Sequence, residues 1–98
     1  MSGLERRGGE LTLDGVSLAQ VAQRFGTPCY VYSRAMIEEA FGQFDTGLAG
    51  VDPMICYAVK ANSNLAVLEA LGRLGAGFDI VSGGELARVL AAGQSADR

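Results

Sequence analysis

Hydrophobic and polar positions follow two rhythms along this chain, and the switches between them mark its elements. Leu11, Thr12 and Leu13 alternate as a short strand does, and Asp14-Gly15 supplies a turn. From Leu18 the period lengthens to that of a helix. Leu18, Val21, Ala22 and Phe25 form one face, preceded by Ser17 and Gln20 as a capping box. Gly26 and Thr27-Pro28 end this helix, because proline restricts the residue before it to extended conformations. Cys29-Tyr30-Val31-Tyr32 reads as a strand. Ser33 then caps a second predicted helix with the stripe Ile37, Ala40, Phe41, Phe44 and Leu48.

Beyond residue 53 the character changes. Met54 to Val59 is an unbroken apolar run of six residues, as expected of a strand buried on both faces of a parallel sheet. Asn62 to Asn64 offer caps for a helix carrying Leu65, Leu68 and Leu71, with Val67 and Leu74 on its flank. Gly75 and Gly77 end that helix, and Phe78 to Val81 reads as a second strand interrupted by Asp79. Ser82 and Glu85 form another S-x-x-E box, and Leu86, Val89 and Leu90 supply a face until Gly93. Strand, helix, strand, helix with short connections predicts right-handed βαβ units, with a strand repeat of 23 residues from Ile55 to Phe78. Two parallel strands cannot cover their own faces and edges, and a closed eightfold barrel takes about 250 residues. The pattern therefore predicts the opening of a larger α/β protein.

Composition narrows the picture. The chain has 98 residues, 49% apolar and 19% charged, which suits one small domain that buries surface. Residues 1–10, with three glycines and mixed charge, read as a flexible arm. Eight basic against eleven acidic residues give a net charge of −3, with no basic stripe for nucleic acid. No apolar run approaches the roughly 18 residues that span a bilayer, and no secretory leader is visible, so neither membrane nor export is expected. Two cysteines, Cys29 and Cys56, both in apolar runs, fit a reduced, cytoplasmic setting, with Cys56 as a small buried hydrophobe. Histidine is absent, which removes His-based metal sites and Ser-His or Cys-His nucleophile pairs; no metal site is expected.

Lysine occurs once, at Lys60, so any chemistry needing a lysine amine falls to that residue. By the period-two rule Cys56, Ala58 and Lys60 share one side of the predicted strand. Reacting groups gather at the carboxyl ends of parallel strands. Small neighbours would desolvate Lys60 in part, favouring the neutral amine that condenses with a carbonyl in Schiff-base chemistry. The bland alternative is that Lys60 ends the strand and points to water. Asp79 poses the same choice: inside an apolar strand it needs a partner, for which Lys60 one strand away is the obvious cation, or it is solvated at a loop. Capping alone accounts for Ser82 and Glu85, although Gly83-Gly84 also bring N–H groups to a helix start. The Tyr30/Tyr32 and Phe41/Phe44 pairs read as core or sheet surface.

Three segments carry a resemblance to a known family. Residues 25–32 read F-G-T-P-C-Y-V-Y, residues 57–64 read Y-A-V-K-A-N-S-N, and residues 75–86 read G-A-G-F-D-I-V-S-G-G-E-L. In this order they resemble the N-terminal quarter of alanine-racemase-like (fold type III) pyridoxal-phosphate decarboxylases, and S-G-G-E-L resembles their diaminopimelate branch. The resemblance runs from about Leu11 onward and implies a pyridoxal 5′-phosphate-binding (β/α)8 barrel, here incomplete, over residues 36–98. Residues 11–35 would belong with a β-domain completed by the far C-terminus. Lys60 would be the catalytic lysine that holds the cofactor, with Ala58 and Asp79 as further cofactor-binding residues. Glu85 and Ser82 would be supporting residues near the active-site mouth. The implied reaction decarboxylates meso-diaminopimelate, a small amino acid, to L-lysine and CO2 as the last step of lysine biosynthesis. Ornithine or arginine decarboxylation, racemisation, or cofactor binding without catalysis are the alternatives. Family members act as homodimers. Because the family's histidine, acid opposite the pyridine nitrogen and phosphate loop come later, these residues alone are expected to be inactive.

Overall fold

A computed structural model describes residues 3–97 of the chain. They form two compact units that divide between Ile37 and Glu38.

The first unit is built on two tight hairpins. Strand β1 (Leu4–Arg7) pairs antiparallel with β2 (Glu10–Leu13), in register from Leu4 opposite Leu13 to Arg7 opposite Glu10. β2 in turn pairs with β3 (Val16–Ser17). Both turns are two-residue links with positive φ: Gly8 and Gly9 at 57° and 81°, Asp14 and Gly15 at 52° and 82°. Such turns match the right-handed twist of the strands they join. The glycine pair explains why residues 4–7, expected within a flexible arm, are a strand here. Helix α1 (Leu18–Phe25) packs on β2 and β3 through half-buried Leu18, Val21 and Ala22. Ser17 Oγ accepts from the Gln20 amide at 3.2 Å, as its capping box predicts.

Cys29 to Tyr32 forms no regular element and pairs with no strand among the described residues, contrary to the expected strand. A strand-favouring sequence becomes a strand only where a neighbour completes the ladder. The two tyrosine rings stack instead, with centroids 6.3 Å apart, and Tyr30 is 89% exposed. Ser33 is buried and ties the unit together. Its hydroxyl donates to Asp14 Oδ2 at 2.5 Å and accepts from the Met36 amide at 3.0 Å, capping helix α2 (Arg34–Gly47). No residue of α2 is fully buried; Ile37 and Phe41 of the predicted stripe are half-buried, while Phe44 is 65% exposed. An open apolar cleft of about 500 Å³ is lined by Leu4, Leu13, Leu18, Val21, Val31 and Met36.

The second unit has the predicted βαβα order. β4 (Cys56–Ala58) pairs parallel with β5 (Gly77–Asp79), and helix α3 (Leu65–Arg73) makes the crossover. Cys56 lies opposite Gly77, Tyr57 opposite Phe78 and Ala58 opposite Asp79. The repeat in register is thus 21 residues (78 − 57), two shorter than the spacing expected from Ile55. Ile55 lies just before β4 and accepts the Gly77 amide at 2.8 Å. Helix α4 (Gly83–Ala91) follows β5.

The core gathers where these elements meet. Val59 and Leu68 are fully buried, joined by Val67, Ala70, Leu71, Ala76, Phe78 and Val89. On α4 only Val89 of the predicted face is buried, while Leu86 and Leu90 stay exposed. Cys56, expected as a buried hydrophobe, is exposed because no layer covers its side of β4 among the described residues. Among the described residues no helix is long and apolar enough to cross a membrane.

Candidate functional site

The carboxyl ends of β4 and β5 bring Lys60 and Asp79 onto neighbouring βα units. The strand does not reach Lys60. It stops at Ala58, and Val59–Ala61 forms a single 3-10 turn that carries the lysine. This corrects the period-two expectation that Cys56, Ala58 and Lys60 share a strand face, because a helical turn rotates each side chain by roughly a third of a circle. Burial of Val59 drives the break. Its side chain plugs the core at the strand end, and the next residue is turned outward. Lys60 is exposed, in line with the alternative in which it ends the strand and points to water.

Asp79 ends β5 directly opposite Ala58 and is also exposed. Of its two sequence alternatives, solvation holds in this structure. No ion pair joins it to Lys60 among the described residues, and both groups are exposed.

Short-range bonds shape the lysine turn. The Asn62 amide donates to the Val59 carbonyl at 3.1 Å, and Tyr57 Oη donates to the Asn62 carbonyl at 2.9 Å. Asn62 Oδ1 accepts from the Asn64 amide at 3.0 Å, and Asn64 Oδ1 from the Ala66 amide at 2.9 Å, which starts α3. Arg88 Nη1 on α4 donates to the Ser63 carbonyl at 3.2 Å. Neither Tyr57 nor Arg88 stood out in the sequence. Alternation gave Tyr57 no distinguishing mark, and a helix-surface arginine is ordinarily just solvated.

Ser82 and Glu85 form the predicted cap with one shift. Ser82 Oγ accepts from the Glu85 amide at 3.1 Å, while Glu85 Oε1 accepts from the Val81 amide at 3.0 Å, one residue before the usual partner. Glu85 thus has a structural task at the β5–α4 junction, one loop away from the lysine turn.

These residues suit an aldehyde cofactor in their chemistry. One primary amine stands accessible at the carboxyl end of a parallel strand, and a carboxylate ends the next strand. Among the described residues no cluster of His, Cys, Asp and Glu could hold a metal ion.

Comparison with known proteins shows the family of the chain. Residues 34–98 match the family model for the pyridoxal-binding domain of pyridoxal-dependent decarboxylases. A diaminopimelate decarboxylase from Pseudomonas fluorescens is 62% identical over the whole chain, which covers 24% of that relative. The Pseudomonas aeruginosa enzyme of the same name is 62% identical over 89% of the chain and 21% of its own length. Among solved structures, one from Aquifex aeolicus superposes with a TM-score of 0.87 at 53% identity, over 94% of this chain and 23% of the other. Diaminopimelate decarboxylase from M. jannaschii in complex with L-lysine gives 0.86 at 34% identity, over 95% of this chain and 24% of the other. The chain therefore spans about a quarter of the length of the curated relatives it matches.

Proposed function

This chain belongs to the family of pyridoxal-dependent decarboxylases, and from that membership we propose that its protein decarboxylates meso-diaminopimelate to L-lysine. The observation that carries the reading is the pairing of Ala58 with Asp79. It puts the lysine turn and a carboxylate at the same end of adjacent parallel strands, inside the matched region. Relatives at up to 62% identity bearing the name diaminopimelate decarboxylase support this substrate.

Lys60 would hold the aldehyde of pyridoxal 5′-phosphate through its amine, with Ala58 and Asp79 beside it. When bound, the cofactor's conjugated ring takes up the electron pair left as CO2 departs. The carbon–carbon bond to one carboxylate of the substrate breaks, CO2 leaves, and a proton returns to that carbon to give L-lysine. The Lys60 amine would also be the group to hold or move that proton. Ser82 and Glu85 would shape the mouth by holding the start of α4. The same reading takes residues 36–98 as the first part of a (β/α)8 barrel and residues 11–35 as associated with a β-domain. A cytoplasmic homodimer completes it.

The test exchanges the first quarter of the Pseudomonas fluorescens relative for this chain and measures CO2 release. Release from meso-diaminopimelate, with formation of lysine and its loss in Lys60→Ala, is the expected result. Release from ornithine or arginine alone would overturn the substrate, and undiminished activity in Lys60→Ala would overturn the site.

A further inference from the structure

We infer that Arg88 is a positioning residue for Lys60, bracing from α4 the turn that carries it. The inference rests on reading Lys60 as the cofactor-holding residue. The bonds from Asn62 to Val59, from Tyr57 to Asn62 and from Asn64 to Asn62 each close over five residues or fewer. Bonds of that range set the shape of the turn without placing it against the neighbouring βα unit. The Arg88 bond to the Ser63 carbonyl spans 25 residues and does place it.

The point of attachment is specific. Ser63 lies between Asn62, which closes the lysine turn, and Asn64, which starts α3. At the other end, α4 follows β5 directly and is held at its start by Ser82 and Glu85. Arg88 lies three residues beyond Glu85 on this helix. The β4–β5 ladder joins the two βα units at their strands, and the Arg88 guanidinium adds a side-chain tie from α4 to the segment just after the lysine turn. Arginine suits this task, since its charged N–H forms a stronger bond to a carbonyl than a neutral donor does. Exposure of the pair keeps the effect modest.

The test compares Arg88→Met, which keeps the stem and removes the donors, with Arg88→Lys, which restores one. In the full chain, NMR-detected hydrogen exchange is followed at the Asn62 and Asn64 amides. Borohydride trapping after incubation with pyridoxal phosphate reports the pyridoxyl adduct on the Lys60 peptide. In Arg88→Met, exchange at both amides is expected to quicken about three- to tenfold, with trapping on Lys60 falling by a similar factor. Exchange at Phe78 in β5 stays unchanged, and Arg88→Lys recovers most of both losses. Unchanged exchange at Asn62 and Asn64 overturns the brace. So does an equal rise at Phe78, which would indicate general loosening. Faster exchange with undiminished trapping overturns the positioning role. Local quickening in a protein whose Lys60 is never trapped supports the brace while removing the cofactor assignment, so the two failures are told apart.

Discussion

Glu85 meets a structural demand at the start of α4. Its carboxylate accepts the Val81 amide while its own amide donates to Ser82 Oγ. The two tasks can be separated by substitution. Ser82→Ala removes the acceptor at the helix start and should lower stability by about 1 kcal/mol in urea denaturation. Glu85→Gln keeps an oxygen that can accept from Val81 and should leave the urea midpoint almost unmoved. If Glu85 also supports the site, the glutamine variant of the chimeric enzyme loses CO2 release at unchanged stability. A parallel fall in both would reduce Glu85 to its capping task. The cap was legible because S-x-x-E is a local pattern. The 3-10 turn that carries Lys60 was not, since period-two counting assumes the strand continues past Ala58.

At the level of elements, legibility tracked the range of the interaction that made each one. Both tight turns and all four helices arise from neighbours in the chain. Asp14-Gly15 declared its turn openly, whereas Gly8-Gly9 was lost in a polar, glycine-rich stretch that resembled an arm. Cys29 to Tyr32 failed in the other direction, because strand propensity cannot report whether a pairing partner exists. The parallel order of β4 and β5 was predicted, but their register depends on which residues face each other across α3. Burial grades the helices in the same way. Leu68 is fully buried, so Leu68→Ala should cost about 2–5 kcal/mol. Leu90, 47% exposed on α4, should cost less than about 1 kcal/mol when replaced by alanine. Thermal or urea denaturation of the two variants distinguishes them, and equal losses would place the core elsewhere.

Across the described residues, many large apolar side chains are exposed. Phe25, Phe44, Val51, Met54 and Val81 are each at least 65% exposed, and the cleft of the first unit is open. The two-stranded parallel sheet leaves unpaired edges among the described residues. Surfaces of this kind seek partners. The isolated 98-residue chain is therefore expected to self-associate, with a sedimentation coefficient that rises with concentration. A concentration-independent value would mean that these faces are inert. The chain matches about a quarter of each relative's length.

The openness of the 3-10 turn has a chemical corollary. An unshielded primary amine is indiscriminate: reducing sugars, acyl phosphates and stray aldehydes reach it as readily as a vitamin-derived one. Nothing in the turn itself tells these reagents apart. On the reading that Lys60 holds an aldehyde cofactor, selectivity does not come from the turn, and glycation or acylation of this lysine would compete with cofactor binding.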